Sequence, residues 1–117
     1  MDRCEQRKEV KTNIEYESLC QQYNREDVDE LVELITETLC GTRPTIRIGG
    51  EDMPAEQVKS RFLMLDCEHI SYVFESMARN STDIRNIRAY LLTALYNAPT
   101  TINSHYKAEV RRDWNHH

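Results

Sequence analysis

The sequence predicts a mostly α-helical fold with a minor β component: a compact bundle of about five or six helices and one short β-hairpin near residues 45–53. Apolar residues recur every three or four positions along most of the chain, which is the spacing of a buried helix face. Period-two alternation is clear only at residues 45–48, and two glycines follow it. The 117 residues, of which 39% are hydrophobic and 30% charged, predict a single domain over 1–117.

The first 23 residues predict helical structure with few core positions. They are strongly charged, and their sparse apolar residues recur at near-helical intervals. We predict a break near Thr12, with residues 1–13 forming a loosely packed helical arm.

The segment from Arg25 to Cys40 has the clearest apolar stripe in the sequence and predicts a helix with one buried face. The side chain of Asn24 is expected to cap this helix by accepting the backbone amide of Asp27. Gly41 is expected to end it in a left-handed conformation, which glycine adopts without steric cost.

The hairpin is predicted by the alternation of Thr45–Ile48 and by the Gly49–Gly50 pair, which can adopt the positive φ angles of a tight turn. A lone two-stranded hairpin is marginal in water, so Ile46 and Ile48 are expected to pack against helices. We reject a phosphate-binding loop here because two carboxylates follow the glycines directly and the lysine of such loops is absent.

Four further helices are predicted after the hairpin. Their N-terminal positions are Pro54, Asp66, Ser81 or Thr82, and Thr100 or Thr101. The first two end at Leu65 and near Arg79, and Pro99 is expected to stop the third because proline disrupts a helix interior. The inner face of the third helix comprises Ile84, Ile87, Leu91, Leu95 and Ala98. In the last helix Ile102, Tyr106, Val110 and Trp114 recur every four residues.

Several classes of protein are excluded by what the sequence lacks. No apolar run approaches the roughly 20 residues of a membrane span, and the N-terminus has no secretory pattern. The four cysteines form no close pair, which favours free thiols, a cytoplasmic location and no metal site. Residues 115–117 resemble the remnant of a purification tag and are left out of the functional interpretation.

The sequence predicts no enzyme and no cofactor, because none of the common nucleophile, metalloprotease or nucleotide-binding motifs occurs. Cys67 and His69 have the side chains of a thiolate–imidazole pair, but residues two apart on a helix point about 200° apart and cannot meet. Glu30, Glu33 and Glu37 share one side of a helix and are interpreted as a solvated acidic face.

The charge is unevenly distributed: residues 1–78 carry a net charge of −8 and residues 79–117 a net charge of +3. Arginines interleaved with aromatic rings can neutralise phosphates while the rings stack on unpaired bases. The candidate nucleic-acid or partner-binding residues in the basic third are Arg85, Arg88, Tyr90, Tyr96, Lys107, Arg111 and Arg112. The alternative is that the rings pack in the core and the cations pair with acidic residues of the earlier helices.

The strings IRIGGEDMPAEQVKSRF and YLLTALYNAPTTI, within a block from about Ile14 to Val110, resemble the C-terminal domain of replication initiator protein A (RepA) from plasmids and integrative elements of Gram-positive gut bacteria. This resemblance implies that the chain is the C-terminal module of a larger initiator whose N-terminal winged-helix domain binds origin DNA. A weaker likeness to DnaD-type helical domains is carried by Tyr90, Ala94 and Ala98, where alanine stands in place of the expected tryptophan. Tyr106, Val110 and Trp114 have the same spacing one predicted helix later.

Together these features predict a non-catalytic domain of a mobile-element replication initiator. Its expected partners are DNA, including single-stranded DNA, or host replication proteins. The alternative is a protein-interaction or self-association module, a homo-oligomer in which the acidic helix of one copy pairs with the basic third of another. Neither hypothesis involves a membrane.

Overall fold

A computed structural model describes residues 2–79 and 86–114, with the backbone alone from residue 101 onward. Within these ranges the chain forms six helices and one antiparallel hairpin. The elements are α1 (Arg3–Asn13), α2 (Tyr16–Gln22), α3 (Arg25–Cys40), β1 (Thr45–Ile48), β2 (Glu51–Pro54), α4 (Ala55–Phe62), α5 (Cys67–Arg79) and α6 (Ile87–Trp114). The predicted fold class, helical with one hairpin, is therefore confirmed. No helix in these ranges combines the length and the apolar character that crossing a membrane requires.

One hydrophobic core joins all six helices and the hairpin. Helix α1 packs along α3, α5 packs along α6, and α6 also contacts α4 and β1. The largest side chains with almost no exposed surface are Ile14, Leu19, Leu31, Ile35, Ile70 and Leu95. Apolar residues at helical spacing supply this core, as the periodicity predicts.

Helix α1 does not form the loose arm that its composition predicts. Val10 is buried, and Arg7 of α1 binds Glu33 of α3 through two hydrogen bonds, with Nε to Oε1 at 2.6 Å and Nη2 to Oε2 at 3.2 Å. The break predicted near Thr12 lies at Ile14 and Glu15, and Glu15 adopts a left-handed conformation with φ of 55°. Helix α1 is thus part of the bundle.

Both ends of α3 differ in detail from the prediction. Asn24 caps the helix, but its side-chain oxygen accepts the amide of Glu26 at 2.8 Å and not that of Asp27. Gly41 has φ −67° and ψ 152°, an extended rather than left-handed conformation. Its carbonyl accepts a hydrogen bond from Nζ of Lys59 on α4 at 2.6 Å.

The hairpin has the predicted turn. Gly49 and Gly50 have φ angles of 60° and 86°, and Ile46 pairs with Met53 across the strands. Ile48 is buried in the shared core. The amide of Gly49 donates to Oγ1 of Thr93 at 3.0 Å, which ties the turn to α6. The hairpin is therefore anchored on a helix, as its marginal intrinsic stability requires.

Helix α6 continues through Pro99, which the sequence analysis takes for a helix end. A proline in a helix interior costs about 3 kcal/mol, so tertiary contacts must offset it. The turn before the proline supplies them: Leu95 and Ala98 are fully buried, and Nη1 of Arg61 donates to the carbonyl of Tyr96 at 3.1 Å. The restart predicted at Thr100 or Thr101 is therefore wrong.

The boundaries predicted for the later helices agree only in part with the structure. Asp66 caps α5 as predicted, since its Oδ1 accepts the amide of His69 at 3.1 Å. Helix α4 begins at Ala55 and ends at Phe62, three residues before Leu65. Asn86 caps α6 by accepting the amide of Ala89 at 3.0 Å. Ser81, Thr82 and Ile84 lie outside the described residues. Ile87, predicted for the inner face, lies in the first turn of α6 and is 55% exposed, so this part of the prediction is wrong.

Candidate functional site

The predicted binding residues fall into three groups. Arg88 and Tyr90 lie in the first turns of α6, where Arg88 is exposed and Tyr90 is half-buried against the core. Tyr96 is buried one and a half turns further along the same helix. Arg85 lies outside the described residues, and Lys107, Arg111 and Arg112 belong to the stretch of α6 for which the structure describes the backbone alone.

Tyr96 is a core residue and not a surface for base stacking. Its ring lies beneath the guanidinium of Arg61, with Cζ 4.0 Å from the ring centroid, and its hydroxyl accepts a hydrogen bond from Nε2 of Gln57. Its side chain therefore joins α6 to α4. The prediction that Tyr96 contacts a partner is wrong, because only 6% of the residue is exposed.

Arg88 borders a groove that two further arginines share. The groove encloses about 550 Å³ between the C-terminal end of α3, the segment 41–45 with β1, and the first turns of α6. Arg43 and Arg47 line it together with Arg88. These three arginines come from three separate segments of the chain. We call the surface that they line the arginine groove.

The alternation of β1 explains why Arg47 faces outward. Ile46 and Ile48 pack towards the core, so the residue between them must lie on the opposite face of the strand. The side chain of Arg47 is 70% exposed, and its Nη1 lies 3.4 Å from Oδ1 of Asp52 on β2. Sequence reasoning missed Arg47 and Arg43, although the period-two pattern of β1 could have indicated that Arg47 is exposed.

A second depression continues the surface on the other side of Arg47 and Arg88. It encloses about 580 Å³ and is bordered by the Gly49–Gly50 turn and by Tyr90. Arg47 and Arg88 line both depressions, so the cationic surface extends from the end of α3 across the hairpin to α6. Tyr90 and Tyr96 are the two aromatic binding residues predicted in the first half of α6. Tyr90 lines this cationic surface, and Tyr96 does not.

Acidic neighbours partly neutralise these cations. Nη2 of Arg88 lies 2.8 Å from Oε2 of Glu37 on α3, which confirms for this residue the alternative that the basic third pairs with the acidic helices. Both side chains are about half exposed or more, and ion pairs at such positions contribute about 0–1 kcal/mol. Arg88 can therefore exchange Glu37 for an external anion at small cost.

Cys67 and His69, which the sequence analysis considers and rejects as a thiolate–imidazole pair, each have a local structural partner. A hydrogen bond to the Glu15 carboxylate and burial raise the pKa of the Cys67 thiol to about 11. Nδ1 of His69 accepts the backbone amide of Asp66 at 3.1 Å, so the imidazole completes the cap of α5. A protonated thiol is a weak nucleophile, which leaves this pair with a structural role.

Cys67 is expected to resist alkylation at pH 8, where a pKa near 11 leaves only about one thiol in a thousand ionised. The rate of alkylation of Cys67 should rise about tenfold per pH unit up to about pH 11. Timed iodoacetamide labelling read by peptide mass spectrometry measures this, with the exposed Cys4 as internal reference. Equal labelling of the two cysteines at pH 8 would contradict the environment described for Cys67.

Metal chemistry has no candidate centre in the part of the chain whose side chains are described. No three His, Cys, Asp or Glu side chains there come together as ligands. The arginine groove is thus the feature of the described surface with the clearest binding chemistry, since guanidinium groups bind phosphates and carboxylates in a fixed two-pronged geometry.

Comparison with known proteins places the chain in a family. A family model, DUF6017, described as a family of unknown function, matches residues 3–117. The chain belongs to DUF6017. No curated protein and no solved structure matches it. The description of DUF6017 assigns no activity, so the resemblance to initiator tails remains a prediction. The function proposed below rests on the geometry of the arginine groove.

Proposed function

We propose that this member of DUF6017 is a non-catalytic binding domain of a mobile-element replication initiator, and that it contacts nucleic-acid phosphates through the arginine groove. One observation carries the proposal: Arg43, Arg47 and Arg88 converge on a single groove in a chain whose net charge is −5. The resemblance to RepA tails favours nucleic acid over other polyanions.

The overall negative charge makes the location of the arginines decisive. An acidic protein gains little non-specific attraction for DNA, because phosphate neutralisation by arginine and lysine supplies most of that affinity. Binding must then come from a local cluster. The arginine groove supplies three guanidinium groups, whose donors match phosphate oxygens in pairs.

In the self-association hypothesis the acidic face of α3 pairs with a second copy, which would have to replace ion pairs within the chain that each contribute about 0–1 kcal/mol. Glu33 and Glu37 of that face already bind Arg7 and Arg88 of the same chain. A host replication protein with an acidic segment would use the same arginine groove and is the alternative to a direct DNA contact.

Fluorescence anisotropy of a labelled short single strand, and of the duplex of the same sequence, tests the proposal. We expect binding at about 50 mM salt that weakens steeply by about 200 mM, because each phosphate contact releases counterions. Absence of binding to both DNA forms at about 50 mM salt would reject the nucleic-acid function. A poly-glutamate competitor that displaces the DNA at equal charge concentration would point instead to an acidic protein partner.

A further inference from the structure

The carboxylate of Glu37 lies between two arginines at the edge of the arginine groove. Its Oε2 lies 2.8 Å from Nη2 of Arg88, and its Oε1 lies 3.8 Å from Nη2 of Arg3 on α1. The first distance is that of a charge-assisted hydrogen bond, and the second is too long for a hydrogen bond. Glu37 and Arg88 both line the groove, whereas Arg3 does not.

The contact to Glu37 occupies a donor of Arg88 that a phosphate oxygen would use. A carboxylate and a phosphate offer guanidinium groups the same kind of paired oxygen acceptors. The side chain of Arg88 is 62% exposed, so the pair is open to competition by an anion from solution. The free protein therefore already holds an anion at one of the three arginines.

We propose that Glu37 is an internal competitor of the ligand phosphate for Arg88, and that Arg3 retains Glu37 when Arg88 turns to the ligand. This inference rests on the proposed function and names the residue that regulates it. Glu37 is a positioning residue: it acts on the ligand through Arg88. Because Arg3 stays beside the carboxylate, the exchange does not leave Glu37 without a cation.

Glu37→Gln tests the competition directly by anisotropy titration with single-stranded DNA. Removing the competitor is expected to tighten binding by up to about fivefold, the upper range for an exposed ion pair. The dependence of log K on log salt should stay close to that of the wild type, because Arg88 neutralises one phosphate in both complexes.

Glu30→Gln is the matched control. Glu30 lies two turns away on the same helix and is exposed, so this variant removes an equal charge without touching the contact to Arg88. We expect little change in binding and no change in the salt slope. If Glu30→Gln and Glu37→Gln tighten binding equally, Glu37 acts through net charge alone and the inference is wrong.

Arg3→Gln tests the role of the second arginine. Without Arg3, Glu37 has Arg88 as its remaining cation in the described contacts, so binding should weaken by about twofold or more even though Arg3 lies outside the groove. The effect should vanish in the Glu37→Gln background. Lys8→Gln, an exposed charge on the same helix, controls for the lost cation. If Arg3→Gln still weakens binding in the Glu37→Gln background, the proposal that Arg3 retains Glu37 when Arg88 binds the ligand is wrong.

The outcomes separate the two proposals. If Arg43 and Arg47 are needed for binding but Glu37→Gln behaves as Glu30→Gln does, the inference fails and the proposed function stands. If neither the wild type nor Glu37→Gln binds DNA at about 50 mM salt, both fail. Thermal unfolding of every variant confirms that the compared proteins are folded.

Discussion

Replacing Leu95 by alanine is expected to lower the free energy of unfolding by about 2–5 kcal/mol. Leu95 is fully buried on α6, the helix that contacts α4, α5 and the hairpin. The substitution removes buried methyl groups and leaves a cavity where several elements meet, and both effects destabilise the fold. A change of this size is a large fraction of the stability of a small domain.

Leu63→Ala is the matched control, because it makes the same chemical change at a residue that is 53% exposed in the turn after α4. We expect it to cost less than about 0.5 kcal/mol. Urea denaturation followed by circular dichroism gives both values. Equal losses for the two variants would show that α6 does not pack through Leu95 as the structure has it.

The double substitution Arg43→Gln with Arg47→Gln is expected to weaken DNA binding by well over tenfold at about 50 mM salt. Counterion release makes each phosphate contact worth roughly a factor of ten at this salt concentration, and the variant removes two contacts. Arg43 and Arg47 are exposed, and Arg47 forms a loose ion pair with Asp52, so the fold should be retained.

A charge-matched control distinguishes the loss of the groove arginines from a general loss of positive charge. Lys8→Gln with Arg79→Gln also removes two exposed cations, and neither residue lines the groove. We expect this control to bind DNA within about threefold of the wild type, since distant exposed charges are screened. If both double variants lose affinity equally, the arginine groove is not the binding surface.

The elements with strong local signals could be predicted from the sequence. Helix α3 begins and ends at the predicted residues because a capping asparagine and an apolar stripe determine it locally. The hairpin was predictable for the same reason, since Gly49 and Gly50 permit the turn and alternation defines β1. In both cases the residues that determine the element are close neighbours in the chain.

The predictions that failed depend on contacts between distant residues. Pro99 predicts a helix end, but the burial of Leu95 and Ala98 and the hydrogen bond from Arg61 keep the helix continuous. Gly41 predicts a left-handed cap, but its backbone is extended and its carbonyl accepts a hydrogen bond from Lys59 of α4. Neither Arg61 nor Lys59 can be identified as a partner from local sequence.

The candidate site was partly predictable. Arg88 was identified from its place in the basic third, whereas Arg43 and Arg47 lie in the acidic part of the chain. Folding brings these two arginines to Arg88, and charge counted along the sequence cannot show that. The prediction that Tyr96 lies on the binding surface was wrong, because Arg61 of α4 covers its ring. The apolar pattern of α6 alone does not reveal this contact.

The slope of log K against log salt for single-stranded DNA tests the central claim most directly. If three arginines each neutralise one phosphate, the wild-type slope should be about −2, at roughly 0.7 per contact. For Arg43→Gln with Arg47→Gln the slope should become shallower by about 1.4. A wild-type slope near zero, or an unchanged slope in this double variant, would contradict phosphate binding at the arginine groove.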